Sequence, residues 1–210
     1  MEVLQKISEE LQKGNFEELP KLVQEALDAK IAPSKILNEG LVAGMSVVGD
    51  RFERDEIFLP EVLISAKAMQ AGMTVLRPKL IEAGVKLAGK IIMGTVKGDL
   101  HDIGKNLVVM LLEGAGYQVI NLGTDVPTER FVEAAKTNKP DILGLSALLT
   151  TTMPKMKEVV ESLQEAGIRD TVKVVVGGAP VTEQFAKEIG ADGYAPDAST
   201  AVEKVREMIG

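Results

Sequence analysis

The chain of 210 residues contains one histidine, His101, and no cysteine. Any chemistry that needs an imidazole must use His101, and disulfides, thiolate metal sites, iron–sulfur clusters and cysteine nucleophiles are excluded together. His101 stands in the run Gly98-Asp99-Leu100-His101-Asp102-Ile103-Gly104-Lys105-Asn106. This run is neither a phosphate-gripping G-x-G-x-x-G nor a P-loop, because Lys105-Asn106 lacks the Gly-Lys-Ser/Thr order. It offers a carboxylate two residues before an imidazole in a loop bracketed by glycines. Asp99 can accept the proton of one ring nitrogen while the other nitrogen faces a metal. A histidine at a helix start, taken alone, is more simply a solvated side chain. With no second histidine and no cysteine the chain cannot build a conventional zinc or copper site. A metal held at His101 should therefore bring most of its own ligands, as a macrocycle does.

The elements that must position this loop are read from hydrophobic periodicity. From residue 90 onward, short apolar runs at 91–96, 117–120, 142–145, 172–176 and 193–194 alternate with amphipathic stretches, which predicts five strand–helix units and a parallel sheet covered on both faces. The expected strand order is the flavodoxin-like 2-1-3-4-5 of Rossmann-type α/β folds, with ligands beyond the carboxyl ends of the strands. Four clusters then share one sheet edge: the His101 loop after strand one, Ser146 to Thr152 after strand three, Gly177-Gly178-Ala179-Pro180 after strand four, and Ala195 to Ser199 after strand five. Each cluster alone is ordinary turn chemistry; together they predict one crevice. A phosphate-receiving response regulator would need an acidic residue at the end of strand three, where Ser146 stands. Residues 1–88 carry helical stripes only, with expected helices to Gly14, from Leu19 to about Ile31, from an N-cap at Ser34 to Phe52, and from Pro60 toward Pro78. The fold class is thus α/β: an N-terminal four-helix bundle over 1–88 and a five-stranded parallel sheet over 89–210. Gly84 and Gly89 mark an expected hinge where the two meet.

Asp99-Leu100-His101-Asp102-Ile103-Gly104, Ser146-Ala147-Leu148 and Gly177-Gly178 resemble the D-x-H-x-x-G, S-x-L, G-G fingerprint of base-off, His-on cobalamin-binding domains, with the intervals 105–145 and 149–176 in register. Gly49 to Phe52 and Phe58 to Val62 are similar to the helical cap of methionine synthase, and the whole chain resembles the corrinoid proteins of methanol and methylamine methyltransferase systems. The resemblance implies a bound cobalamin or related corrinoid that alternates between methylcob(III)amide and cob(I)amide, with His101 as lower axial ligand to cobalt and Asp99 as its hydrogen-bonded partner. Thr152, where the family often has serine, would extend that relay. The loop residues Gly98, Leu100, Asp102 and Gly104 would border the corrin. Ser146, Leu148, Gly177 and Gly178 would line the slot for the displaced base, the glycines because a Cβ would keep the tail from the backbone. Thr150, Asp197 and Ala198 fall where family members also touch the cofactor, and Phe52, Leu59 and Val62 would shield its upper face, unless they are simply bundle core.

The implied activity is that of a methyl-carrying corrinoid subunit, not catalytic alone. It implies a substrate-specific methyltransferase as one partner, a second methyltransferase passing the methyl group to a thiol or pterin, and a reductive activase. Competing readings are a cobalamin-dependent sensor and the small subunit of a cobalamin mutase. The first normally brings a DNA-binding or signalling domain, for which the acidic helices of 1–88 are poor material; the second lacks the cap. A net charge of −7 without a basic patch argues against nucleic-acid binding. The absence of a long apolar run argues against a membrane span, and the charged N-terminus and lack of cysteine make cytoplasm the expected compartment.

Overall fold

The computed structural model describes residues 2–85 and 87–209. The chain folds as two compact units: a helical one, through Leu87 with the segment Met110–Tyr117, and an α/β one, Ala88–Val109 with 118 onward.

In the helical unit, α1 (Glu2–Gln12) buries Leu4, Ile7 and Leu11, and α2 (Leu19–Asp28) buries Leu19, Leu22, Val23 and Ala26. These i, i+3, i+4, i+7 sets make one stripe per helix, the pattern that drives bundle packing. The third helix begins at Pro33 with Ala32 as its N-cap, so Ser34 lies inside the first turn rather than capping it. Proline at the first position suits a helix start because its missing N–H is not needed there. After α3 (Pro33–Lys35) this helix widens into a π-helical stretch, Ile36–Val42, and returns to α geometry in α4 (Ala43–Glu53). α5 (Leu59–Glu82) carries Pro60 in its first turn, and the Glu61 carboxylate accepts the Phe58 backbone N–H at 3.2 Å. The helix does not stop at Pro78 but runs on to Glu82.

Gly84 ends α5. Its φ of 65° is left-handed, its N–H donates to the Ile81 carbonyl at 3.0 Å, and Val85 N–H donates to Leu80 at 3.0 Å. That is an ordinary helix stop, the simpler of the two roles open to Gly84. Gly89 is packed, since a Cβ there would sit 2.7 Å from Ile209 Cδ1; Lys86 of the expected hinge segment lies outside the described residues. A Cβ at Gly84 would meet nothing within 4 Å, so Gly84→Ala isolates the backbone cost. It should destabilise the protein by about 1 kcal/mol, read as a lower urea midpoint with unchanged slope.

The α/β unit contains a five-stranded, all-parallel sheet in the order β2-β1-β3-β4-β5, as the alternation predicts. The strands are β1 (Lys90–Thr95), β2 (Gln118–Asn121), β3 (Ile142–Ser146), β4 (Lys173–Gly177) and β5 (Gly193–Ala195). They alternate with α6 (Ile103–Gly114), α7 (Thr128–Asn138), α8 (Pro154–Glu165), α9 (Glu183–Glu188) and α10 (Ala198–Ile209). Ile92, Leu143, Leu145, Val174 and Val176 meet Phe131, Met156, Val160 and Leu163 in the core on one side. β-Branched residues dominate the central strands because these are buried on both faces. Register brings Thr95, Ser146, Gly177 and Ala195 into one row across four strands. Each strand ends in that row, so the loops that follow leave the sheet at one level.

Candidate functional site

Asp99 is fully buried, and its carboxylate accepts five hydrogen bonds. Oδ1 takes the His101 backbone N–H at 3.1 Å and His101 Nδ1 at 2.7 Å. Oδ2 takes the Leu148 and Leu149 N–H groups at 2.7 and 3.2 Å and the Thr152 hydroxyl at 2.7 Å. Burial by itself would raise the carboxyl pKa. The donors from Thr152, Leu148 and His101 outweigh it and hold Asp99 well below the usual carboxylate range. Asp99 is therefore ionised and can only accept, which places the proton of a neutral His101 ring on Nδ1. Nε2 keeps its lone pair and has no partner among the described residues, on a side chain that is half exposed.

The Thr152 hydroxyl also lies 2.9 Å from the Leu149 carbonyl. It has one proton, and the ionised carboxylate at the shorter distance is the stronger acceptor. Thr152→Val keeps the shape and deletes this donor; it should cost about 1–2 kcal/mol in urea unfolding, while Thr152→Ser stays near wild type. Equal stability of the valine variant would show that the hydroxyl does not bind Asp99.

Two anchors were not foreseen. The buried Thr95 hydroxyl donates to the His101 carbonyl at 2.9 Å, and Asp125, in the loop after β2, accepts the Gly98 N–H at 2.8 Å while its own N–H donates to the Asp99 carbonyl at 2.9 Å. Asp125 adopts a left-handed φ of 52° to do so, a conformation that aspartate tolerates better than most residues. Its only signal in the sequence is an acidic residue just past a strand, which has no pattern of its own.

The expected site residues divide into three groups. Gly98, Asp99, Leu100, His101, Asp102, Gly104, Ser146, Leu148, Thr150, Thr152, Gly177 and Gly178 are together at the carboxyl edge of the sheet. Leu100 and Ile103 are about three-quarters exposed, and Leu148 and Leu149 are also open; these apolar side chains belong to the two loops that meet at Asp99. Asp197 and Ala198 follow β5. There Asp197 Oδ1 caps α10 by accepting the Thr200 N–H at 2.8 Å, and the Ala198 side chain is buried, so the structural duties of this pair are explicit. In the helical unit, Leu59 is exposed beside Phe58, Leu63 and Ile64, and Phe52 is partly exposed. Val62 is fully buried among the bundle residues, the bundle-core placement that its position also allows. Helical spacing puts it on the inner stripe of α5 with Ala66 and Met69.

The glycine pair has a structural reason besides the expected one. A Cβ on Gly177 would lie 2.9 Å from the Ala195 carbonyl oxygen, and one on Gly178, where φ is 127°, 1.9 Å from that of Ala147. Backbone packed on backbone requires both glycines before any ligand is considered.

One imidazole nitrogen without a protein partner among the described residues, on a ring set by a buried carboxylate, is an arrangement that suits a metal arriving with ligands of its own. No cluster of three His, Cys, Asp or Glu suited to a bare ion exists among the described residues. Two family models agree, each describing a B12 binding domain, one over residues 89–203 and one over 3–77. The chain belongs to the B12-binding corrinoid proteins. It is 44% identical to trimethylamine corrinoid protein 1 of Methanosarcina acetivorans over 99% of this chain and 97% of that one. It is 49% identical to the dimethylamine corrinoid protein of Methanosarcina barkeri over 89% and 88%. Among solved structures it superposes with a TM-score of 0.90 and 34% identity on a chain of the methanol:cobalamin methyltransferase complex MtaBC from Methanosarcina barkeri, covering 99% of this chain and 80% of that one. No helix among the described residues is long and apolar enough to cross a membrane.

Proposed function

We propose that this chain carries methyl groups on a corrinoid, accepting them from a substrate-specific methyltransferase and giving them to a second methyltransferase whose acceptor is a thiol or a pterin. The observation that carries the reading is the Nε2 of His101, without a partner among the described residues and backed by an ionised, buried Asp99. The relatives support the class of system: two are named for methylamines, and the solved neighbour is part of a methyltransferase complex. A bound corrinoid supplies a cobalt that can take up and release a methyl group.

The chain supplies the rest. His101 Nε2 is the single protein ligand to the metal, Asp99 fixes its tautomer and raises its basicity, and Thr152 with two backbone amides keeps Asp99 ionised. Leu100, Ile103, Leu148 and Leu149 offer apolar surface to the macrocycle, while Gly98, Asp102 and Gly104 shape the loop around His101. Ser146, Leu148, Thr150, Gly177 and Gly178 border the slot for the displaced base, with Asp197 and Ala198 behind them. Partner enzymes select donor and acceptor, and a reductive activase restores corrinoid lost to oxidation.

The test is reconstitution with hydroxocobalamin, reduction, and addition of methanol, methylamines or betaines, each with its methyltransferase. Visible spectroscopy should report methylation of the cobalt with one donor class, and label should then pass to a thiol or pterin when the second enzyme is added. Tight corrinoid binding without methylation by any pair would replace the carrier with a sensing or mutase module.

A further inference from the structure

Lys105, in the first turn of α6, is buried, and its ammonium makes no ion pair among the described residues. It donates instead to two side-chain amide oxygens, Asn106 Oδ1 at 2.5 Å and Asn121 Oδ1 at 2.8 Å. Burial pushes this ammonium below the usual lysine range, with Asp102 pulling the other way. A buried cation without a carboxylate is costly to hold, which asks what the arrangement achieves.

The bonds around it close a ring. Asn106 Nδ2 donates to Asp102 Oδ2 at 2.9 Å, and Asn121 Nδ2 donates to Asn106 Oδ1 at 3.1 Å. Asn121 Oδ1 also accepts the Gly123 N–H at 3.0 Å. The Gly123 carbonyl accepts the Thr95 N–H at 3.0 Å, and the Thr95 hydroxyl donates to the His101 carbonyl at 2.9 Å. The orientation of both amides is forced. Lys105 and Gly123 can only donate, so Asn121 must present its oxygen to them; Asn106 must present its NH2 group to the Asp102 carboxylate. The His101–Asp102 peptide is thus gripped at both ends of one network, while Asp99 grips the imidazole. Asn121, at the carboxyl end of β2, is the side chain that ties Lys105, Asn106 and the Gly123 amide to that strand.

We infer that Asn121, with Lys105, is a positioning residue for His101, locking the backbone of the metal-binding loop to β2. The inference rests on His101 as the metal ligand only for its effect on the corrinoid; its effect on the loop itself is separate. Asn121 is exposed, so truncation does not open the core. Lys105→Met also strands no acceptor, because Asn106 Oδ1 keeps Asn121 and Asn121 Oδ1 keeps Gly123.

The experiment compares Asn121→Ala, Asn121→Asp and Lys105→Met with wild type in two measurements. In the apo-protein, labelling histidine alone gives one backbone amide, that of His101, whose hydrogen exchange is followed by NMR. In protein loaded with cob(II)alamin, electron paramagnetic resonance reads the nitrogen coupling of the axial imidazole, and titration reads cobalamin affinity.

Asn121→Ala should speed His101 exchange by about tenfold or more. It should also broaden the nitrogen coupling and weaken cobalamin binding roughly 10–100-fold, as loss of an orienting partner does. Asn121→Asp keeps the acceptor for Lys105 and Gly123 but turns a carboxylate oxygen toward Asn106 Oδ1 in place of the amide donor, so it should recover part of both. Lys105→Met should fall between them, with a urea midpoint at or above wild type. Exchange and coupling in Asn121→Ala equal to wild type would overturn the inference. Absence of nitrogen coupling in the wild-type protein would overturn the axial-ligand reading instead, and leaves the exchange comparison to judge the lock by itself.

Discussion

His101→Ala should abolish coupling to a histidine nitrogen, identified by 15N-histidine labelling, in the cob(II)alamin spectrum and lower corrinoid affinity by more than the roughly 10–100-fold that loss of an orienting partner costs. The chain offers no second imidazole and no thiolate to replace it, so any nitrogen coupling left in the variant would come from the cofactor's own base. The fold should survive. The His101 side chain is half exposed, and Asp99 Oδ1 keeps the backbone N–H of residue 101 after truncation. Circular dichroism and the urea midpoint of the apo-protein should therefore stay close to wild type while cobalamin binding collapses. A variant that binds with the wild-type spectrum would show that the imidazole does not ligate cobalt.

That separation of site from fold explains which features could be read from the chain. The sheet was legible because buried parallel strands must be nearly continuous apolar runs, as in Ile91-Ile92-Met93 and Val174-Val175-Val176, and turn residues bound each one. The Asp99–His101 pair was legible because its chemistry is local: two residues apart in a loop, carboxylate and imidazole meet whatever the rest of the fold does. Contacts that depend on strands meeting were not. Asp125 and Asn121 act on the His101 loop and α6 across the β1–β2 edge, and nothing in their own neighbourhoods marks them. For Leu59 and Val62 the resemblance leaves shielding surface and bundle core both open, and burial separates them: Leu59 is exposed, whereas three residues along a helix whose Pro60 and Glu61 fix its start brings Val62 onto the inner face. Pro78 reads as a stop because proline lacks an N–H, whereas α5 extends one turn past it and is ended by Gly84. Gly177 and Gly178 have a backbone reason that their sequence does not display: the carbonyls of Ala195 and Ala147 need their space.

Asp99→Asn is the variant in which site and fold fail together. Five donors converge on the Asp99 carboxylate, three of them on Oδ2. An asparagine has one acceptor oxygen. Turned toward His101, it points its NH2 at Leu148, Leu149 and Thr152; turned toward them, it faces the two donors of His101. Each buried donor left without an acceptor costs about 1–3 kcal/mol, so the variant should lose roughly 2–4 kcal/mol, about ten degrees of melting temperature for a unit of this size. The neutral side chain also no longer demands the proton on Nδ1, and metal affinity should drop roughly 10–100-fold in whatever fraction folds. The pH dependence distinguishes this from a packing defect. The folded Asp99 carboxyl titrates well below the value of about 3.9 expected in the unfolded chain. Its contribution is therefore complete above the unfolded value and is lost as pH falls toward the folded one, because the unfolded state takes up the proton first. The stability gap between wild type and Asp99→Asn should stay constant from pH 7 to about 5 and narrow steadily below about 4. Urea unfolding at a series of pH values reads it directly, and a gap of the same size at pH 3 as at pH 7 would mean that the ionised carboxylate is not what holds the loop.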